Sequence, residues 1–595
     1  MTKGTNRVKQ WWMSFEQHPV ACWVFSGVWL LLISWIAFLW NLGNTGLIDE
    51  TEPLFAEAAR QMVVTGDWIT PTFNGDTRFD KPPLVYWLMA IAYRLIGVNE
   101  WAVRLPSAGA AIALISLGFW TLQAFGATAS SPKRAQRQRW LTAWIGSTLM
   151  AVNFHTLIWA RTGVSDMLLS GCMGAALLCF FWGYAQTQNQ TNSFLPANHW
   201  YWAFYVFLAL AVLAKGPVGV VLPGLIIGPF LLYVGRLKAV LKEMGFVVGG
   251  LVFGAIAVPW FVLVSLKHGS AYTSTFFGYH NFERFTDVVN GHSAPWYYYF
   301  AIVLGLFAPW SVYLPVAISR LRLRRSWWLK QPRSAQLGLF ALFWFAGIFV
   351  FFSISVTKLP SYVLPLIPAA AILVSLLWSE ESTATNNKKQ SWGLIASGIC
   401  NVLLLLILAA ACLYSPSLLG TDPAVEQESE LLQASGIPLL GGIIWSATAL
   451  ASVWLLSSHL RRWLVLPNLI GVLAFIVFVL MPVSFMVDRE RQLPLREMAA
   501  VVEQAQQPGE EIWMAGFRKP SLVFYTQGRS VKFFKTNGRL REHLANNAYP
   551  NSVLLLSHPD KTEEYELEPQ DYQTLATQGA YQLIRVAPQQ LADDS

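Results

Sequence analysis

The chain has 595 residues, of which 54% are hydrophobic and only 13% charged, with 28 tryptophans and a formal net charge of +8. Charged residues at about half the globular norm of roughly 25%, with a mean hydropathy of +0.42, exclude a string of soluble domains. The excess Lys and Arg lie mostly in short stretches between apolar runs, which makes the charge a topology signal and excludes a nucleic-acid-binding face.

Apolar runs of about 18–25 residues recur from Cys22 to Met486, long enough at about 1.5 Å per residue to cross a bilayer core of roughly 30 Å. Helices are required there, because lipid offers no partner to an unpaired backbone group. The basic N-terminal stretch (Lys3, Arg7, Lys9) lacks a convincing small-residue cleavage site, so a retained first span from Cys22 to Leu42 is expected, entered from the cytoplasm. The polar segment from Asp49 to Trp87 then lies outside. The apolar piece from Pro82 to Gly97 falls short of a span and carries Arg94. If it crossed, the basic clusters at Lys133–Arg139, Arg236–Lys242, Arg320–Arg333, Lys388–Lys389 and Arg461–Arg462 would all face outward; if it lies along the interface, all face the cytoplasm. Two juxtamembrane helices, Phe55 to Val64 and Leu84 to Ile96, are therefore predicted in one external loop over residues 43–101.

Further spans are predicted near Ala102–Ala127, Trp140–Trp159, Asp166–Tyr184, Trp200–Leu213, Pro217–Val234, Phe246–Leu266, Tyr297–Ile318, Leu337–Val356, Tyr362–Trp378, Leu394–Leu413, Leu439–Leu456 and Val465–Val487. That makes about thirteen, an odd number that leaves the C-terminus outside. The expected fold is a polytopic α-helical membrane protein with a transmembrane domain over residues 1–487. Residues 488–595 alternate strand-like and helix-like patterns and predict a small periplasmic α/β domain, without a Gly-rich phosphate loop or a nucleophile elbow. The five cysteines (Cys22, Cys172, Cys179, Cys400, Cys412) lie in apolar stretches and read as small core residues.

Each external loop holds ionisable or hydrogen-bonding groups at a helix end: Asp49, Glu50, Glu52, Asp80 and Lys81 in the first, then Arg161 and Asp166, Lys215, His280 to His292 with Glu283 and Arg284, and Lys358 with Tyr362. Such groups cost about 2.5–3.5 kcal/mol each at membrane depth, so a convergent set calls for a reason. Several cations with carboxylates and aromatics suit a lipid-attached sugar phosphate. Lys81, Arg284 and Lys358 are candidates for the phosphate oxygens of a leaving lipid phosphate, and Asp49 for the base that takes a proton from the acceptor hydroxyl. Snorkelling explains lone Lys and Arg at helix ends equally well, and helix capping explains Asp166. The Pro82-Pro83 pair fixes the backbone that presents Lys81 and favours function there. A divalent metal on His280 and His292 with Asp80 or Glu283 is a further reading, on loose spacing. A transporter or flippase of lipid-linked sugars is the alternative class, but no half-to-half repeat is visible.

The run from AEAARQMVVTGDWITPTFNGDTRFDKPPLVYW to VRLPSA, followed by ARTGVSDMLL, LAKGPVGVVLP, ERF and TKLPSYVLPLIP, resembles the bacterial lipid A aminoarabinose transferases and their relatives in the GT-C glycosyltransferase superfamily, which includes the protein O-mannosyltransferases. The resemblance implies a GT-C fold and inverting transfer of a sugar from a polyprenyl-phosphate donor to a lipid, glycan or protein acceptor, at the outer face of a bacterial inner membrane. It implies Asp49 as the catalytic acidic residue of the first loop, Asp166 as a second loop carboxylate, and Lys81, Arg284 and Tyr362 as donor-phosphate contacts. Relatives carry an acidic pair, then Arg-Tyr, then Ala-Glu, whereas DETEPLFAE here has two extra residues. Counting back from AEAAR sets Thr51 and Glu52 at the pair; Asp49 is favoured because threonine is no base, with Glu52 its rival.

Overall fold

The computed structural model describes residues 19–128, 131–187, 195–276, 278, 293–383, 392–419, 428–458, 460–546, 549–565 and 567–591. Among these, nine helices are long and apolar enough to cross a membrane, and two further pairs join at sharp bends, Pro132–Ala151 with Phe154–Ala160 at 59° and Tyr298–Leu306 with Trp310–Ser319 at 110°. Every predicted span coincides with helix. His199–Lys215 and Val218–Tyr233 are shorter apolar helices, of 17 and 16 residues. Deep in the bundle, Asn401 and Asn468 exchange reciprocal amide hydrogen bonds of 3.1 Å between two membrane helices. Each amide thereby satisfies the other where lipid offers no partner.

The loop after the first span, Pro19–Leu39, builds a platform. Its first helix, Glu52–Thr65, starts earlier than the apolar pattern suggested and ends at Gly66, whose φ of 74° is a left-handed stop. The second, Leu84–Ile96, follows Pro82-Pro83 as predicted and leaves Leu95 77% exposed on a lipid-ready face. The two helices pack through Phe55 stacked on Tyr86 at 5.6 Å and through the Tyr93 hydroxyl, which donates to the Ala56 carbonyl at 3.0 Å.

Between them lies a small antiparallel hairpin, β1 (Thr72–Phe73) and β2 (Asp76–Thr77). Its two-residue turn is Asn74-Gly75, with φ of 55° and 87°. Positive φ at both positions is what a primed hairpin turn demands and what Asn-Gly supplies.

The last membrane helix does not stop at residue 487. It runs without interruption over Arg461–Ala505, through wide turns at Ile476–Leu480 and Asp488–Gln492, into the C-terminal domain. That domain is a five-stranded sheet of order β4-β3-β5-β7-β6, with β3 (Glu511–Ala515), β4 (Val531–Phe534) and β5 (Val553–Ser557) parallel, and β7 (Tyr581–Val586) and β6 (Tyr572–Gln578) added antiparallel. The central strands are continuous apolar runs because both faces are covered. One face packs on Leu495, Met498 and Val502 of the long helix, and this core also takes in Phe73 from the hairpin, with Leu54 of the platform against it. The domain is thus not confined to residues 488–595, because its core is completed by the first loop.

Candidate active site

Glu52 is fully buried at the start of the platform helix. Its Oε1 accepts from Arg104 Nε at 2.8 Å and from the Gly163 amide at 2.6 Å, and its Oε2 accepts from Arg104 Nη2 at 2.9 Å and from the Ile48 amide at 2.8 Å. Arg104 spends its other donors on the carbonyls of Leu42, Thr45 and Gly46. With four donors on two oxygens, Glu52 is a pivot that ties three chain segments together. In Glu52, the rival of Asp49 for the base, both carboxylate oxygens are thus taken by protein donors.

Asp49 lies in the loop just before the platform helix. Its Oδ1 accepts from the Ser521 amide at 3.0 Å and its Oδ2 from the Ser521 hydroxyl at 2.5 Å. Burial pushes its carboxyl up to about 6, while the Ser521 hydrogen bonds and the charge of Lys519 pull the other way. Neighbouring bonds bolt the same seam: the Leu47 amide donates to the Tyr525 hydroxyl at 2.9 Å, and the Gly46 amide to Asp488 at 2.5 Å.

A second cluster gathers at helix ends. Asp166, in the first turn of the Ser165–Gln186 helix, accepts from Lys215 Nζ at 2.5 Å, and both side chains are 14% exposed. Ser361 and the charge of Lys81 act on the same carboxylate. Lys215 ends its helix against Gly216, whose φ of 87° and ψ of −154° only glycine adopts readily. Its ammonium sits 5.4 Å from the centre of the Tyr362 ring, which itself packs 5.0 Å from Phe352. Lys81, Asp166 and Tyr362, predicted from three separate loops, are therefore assembled in one place, with Lys215 as the unassigned fourth member. Its signal was in the sequence, a lysine presented by a Gly-Pro turn at a helix end.

The remaining expectations divide. Lys358 turns its ammonium onto the carbonyls of Ser353 and Ser355 and lies 5.9 Å from the Tyr299 ring. It caps the end of the Leu337–Ile354 helix, where a cation meets the negative end of the dipole. Arg161 closes the first span by donating to the Ala37 and Trp40 carbonyls. Asp80 accepts from Arg78 at 2.6 Å and from the Tyr86 hydroxyl at 3.2 Å, with Lys81 Nζ 3.8 Å away. Arg284, Glu283, His280 and His292 lie outside the described residues. Among those described, no group of three or more His, Cys, Asp or Glu side chains is arranged to hold a metal.

Residues 28–268 match the family described as Dolichyl-phosphate-mannose-protein mannosyltransferase, and residues 505–595 match the C-terminal domain of cyanobacterial RgtA-type glycosyltransferases. The chain is 25% identical over 521 residues to an undecaprenyl phosphate-alpha-4-amino-4-deoxy-L-arabinose arabinosyl transferase of Pseudomonas fluorescens, covering 85% of this chain and 86% of that one. A transferase of the same description from Shewanella sediminis is 30% identical over 340 residues, 57% of each chain. The fold is that of ArnT from Cupriavidus metallidurans, solved bound to undecaprenyl phosphate, with a TM-score of 0.73, 20% identity, and coverage of 96% of this chain and 99% of that one. Fold and sequence together define a membrane glycosyltransferase of GT-C architecture. Within that class, the chain is similar to the undecaprenyl-phosphate aminoarabinose transferases.

Proposed function

We propose that this enzyme transfers a sugar from a polyprenyl-phosphate donor to a lipid or glycan acceptor, with inversion, on the periplasmic face of the inner membrane. The observation that carries the reading is the convergence of Lys81, Asp166, Lys215 and Tyr362 beside the platform. Lys81 and Lys215 are the cations suited to a phosphate that gains charge as its bond to the sugar breaks. Tyr362 offers its hydroxyl and ring edge to the same group. Asp166, ion-paired with Lys215, holds that lysine in place and remains an acceptor for sugar hydroxyls.

The acceptor oxygen attacks the anomeric carbon from the side opposite the phosphate, the carbon–phosphate oxygen bond breaks, and polyprenyl phosphate leaves. The proton from the acceptor hydroxyl goes to Asp49. A carboxyl raised to about 6 is a better base near neutral pH than an ordinary aspartate and is still mostly ionised there.

Asp49→Asn is expected to lower the transfer rate by about 10²- to 10⁴-fold, the usual contribution of a positioned base, while donor binding survives. Lys81→Ala is expected to weaken donor binding about 10- to 100-fold, the worth of a charge-assisted hydrogen bond of about 1.5–3 kcal/mol. Transfer and binding assays on the purified variants check both, and an Asp49→Asn enzyme of full activity would return the base to an open question. Mass spectrometry of envelope lipids and glycans from a strain lacking the protein identifies the sugar and the acceptor.

A further inference from the structure

The hairpin and the C-terminal domain enclose a groove of about 490 Å³, lined by Asn74 and Asp76 on one side and by Arg518, Lys532, Lys535 and Arg539 on the other. Lys532 pairs with Glu511 at 2.6 Å. Among the described residues, no carboxylate pairs with Arg518, Lys535 or Arg539, and the Arg518 guanidinium sits over the Phe533 ring, 5.6 Å from its centre. Four cations facing one lining carboxylate leave the groove strongly positive. A guanidinium held by an aromatic face keeps its outer fork of donors, the geometry that matches phosphate and carboxylate.

Two further observations tie this groove to the chemistry. Asn74 bonds β4 in both directions, its amide donating to the Val531 carbonyl at 2.8 Å and its carbonyl accepting from the Val531 amide at 2.9 Å. The two walls of the groove are therefore fixed to each other. Asp76 is followed five residues later by Lys81, so the groove lies no more than about 18 Å along the chain from the donor-phosphate lysine. An acceptor glycan of a few sugars spans that distance.

We propose that this groove is the acceptor-docking site of the enzyme and takes the anionic portion of a phosphate- or carboxylate-bearing glycan. The proposal rests on the glycosyltransferase reading for the identity of the ligand as acceptor, but the groove's anion binding is testable apart from it. The full-length chain in detergent is titrated with three probes: a glucosamine disaccharide carrying two phosphates, trigalacturonate, and neutral maltotriose. Binding of at least one anionic probe is expected, weakening as salt is raised, with maltotriose silent; which of the two binds names the anion. The double variant Lys535→Glu/Arg539→Glu changes only exposed side chains and is expected to weaken that binding at least tenfold at an unchanged melting temperature. Arg518→Ala is expected to act in the same direction. Lys81→Ala is expected to leave probe binding intact while donor binding weakens. The proposal is overturned if neither anionic probe binds, if maltotriose binds as well, if the charge reversal leaves affinity unchanged, or if Lys81→Ala abolishes probe binding, which would assign the anion to the donor site. Failure of the transfer assays would sink the catalytic reading and leave the binding result standing, because none of the probes carries a polyprenyl chain.

Discussion

Two acids three residues apart in one loop have opposite fates, and their surroundings decide which. Glu52 is enclosed by four donors, with Arg104 beside it 2% exposed. Removing one partner of a buried pair costs about 3–5 kcal/mol because the other charge is stranded. Arg104→Met is therefore expected to lower the folded yield and melting temperature sharply, whereas a loss of rate at unchanged melting temperature would restore Glu52 to the chemistry. Asp49, by contrast, has a carboxyl raised from the ordinary 3.8 to about 6 by burial. Between those values the folded protein holds a proton that the unfolded chain has released, so this group's contribution to stability falls as pH rises through that window. If Asp49 is the base, activity rises over the same window. Ser521→Ala removes the hydroxyl bond, one of the two that lower this pKa, keeps the amide bond, and is expected to move the acid limb of the pH–rate profile to higher pH. A limb that stays in place would mean that another group sets it.

At the scale of elements, the hairpin β1–β2 joins the platform to the C-terminal sheet. Phe73 is 8% exposed and buried in the domain's core rather than in the platform's. Phe73→Ala is expected to destabilise the docked domain by about 3–5 kcal/mol, as large aromatic deletions do, and faster cleavage between the membrane helices and the domain in limited proteolysis measures it. The Asn-Gly turn signal for this hairpin was present in TFNGDT, but strands of two residues have no periodicity to reveal them. The interfacial helix Leu84–Ile96 was legible to the residue, because a proline pair opens it and a glycine closes it. Strand β6 was not, since its side chains are exposed or half-buried and YQTLATQ lacks a clean apolar face.

For the whole molecule, the membrane domain and the C-terminal domain form one docked unit, held by Asp49–Ser521, Gly46–Asp488, Leu47–Tyr525 and Asn74–Val531. Deleting residues 488–595 would uncover Phe73 and release the Asp49 loop. Transfer is expected to be lost even though the cluster of Lys81, Asp166, Lys215 and Tyr362 is untouched, and an active truncated enzyme in the same assay would show that the domain is dispensable. The sequence by itself determined the membrane class, the two helices of the first loop and the α/β pattern of the last hundred or so residues. It could do so because hydropathy, charge bias and Gly/Pro punctuation are local quantities. Only the tertiary structure decided which carboxylate is a pivot and which is held by Ser521, 472 residues away in sequence. It also decided that Lys215 joins Asp166 and that Lys358 turns back onto its own helix. A side chain's chemistry depends on which donors and charges surround it, and those neighbours come from segments that only packing brings together.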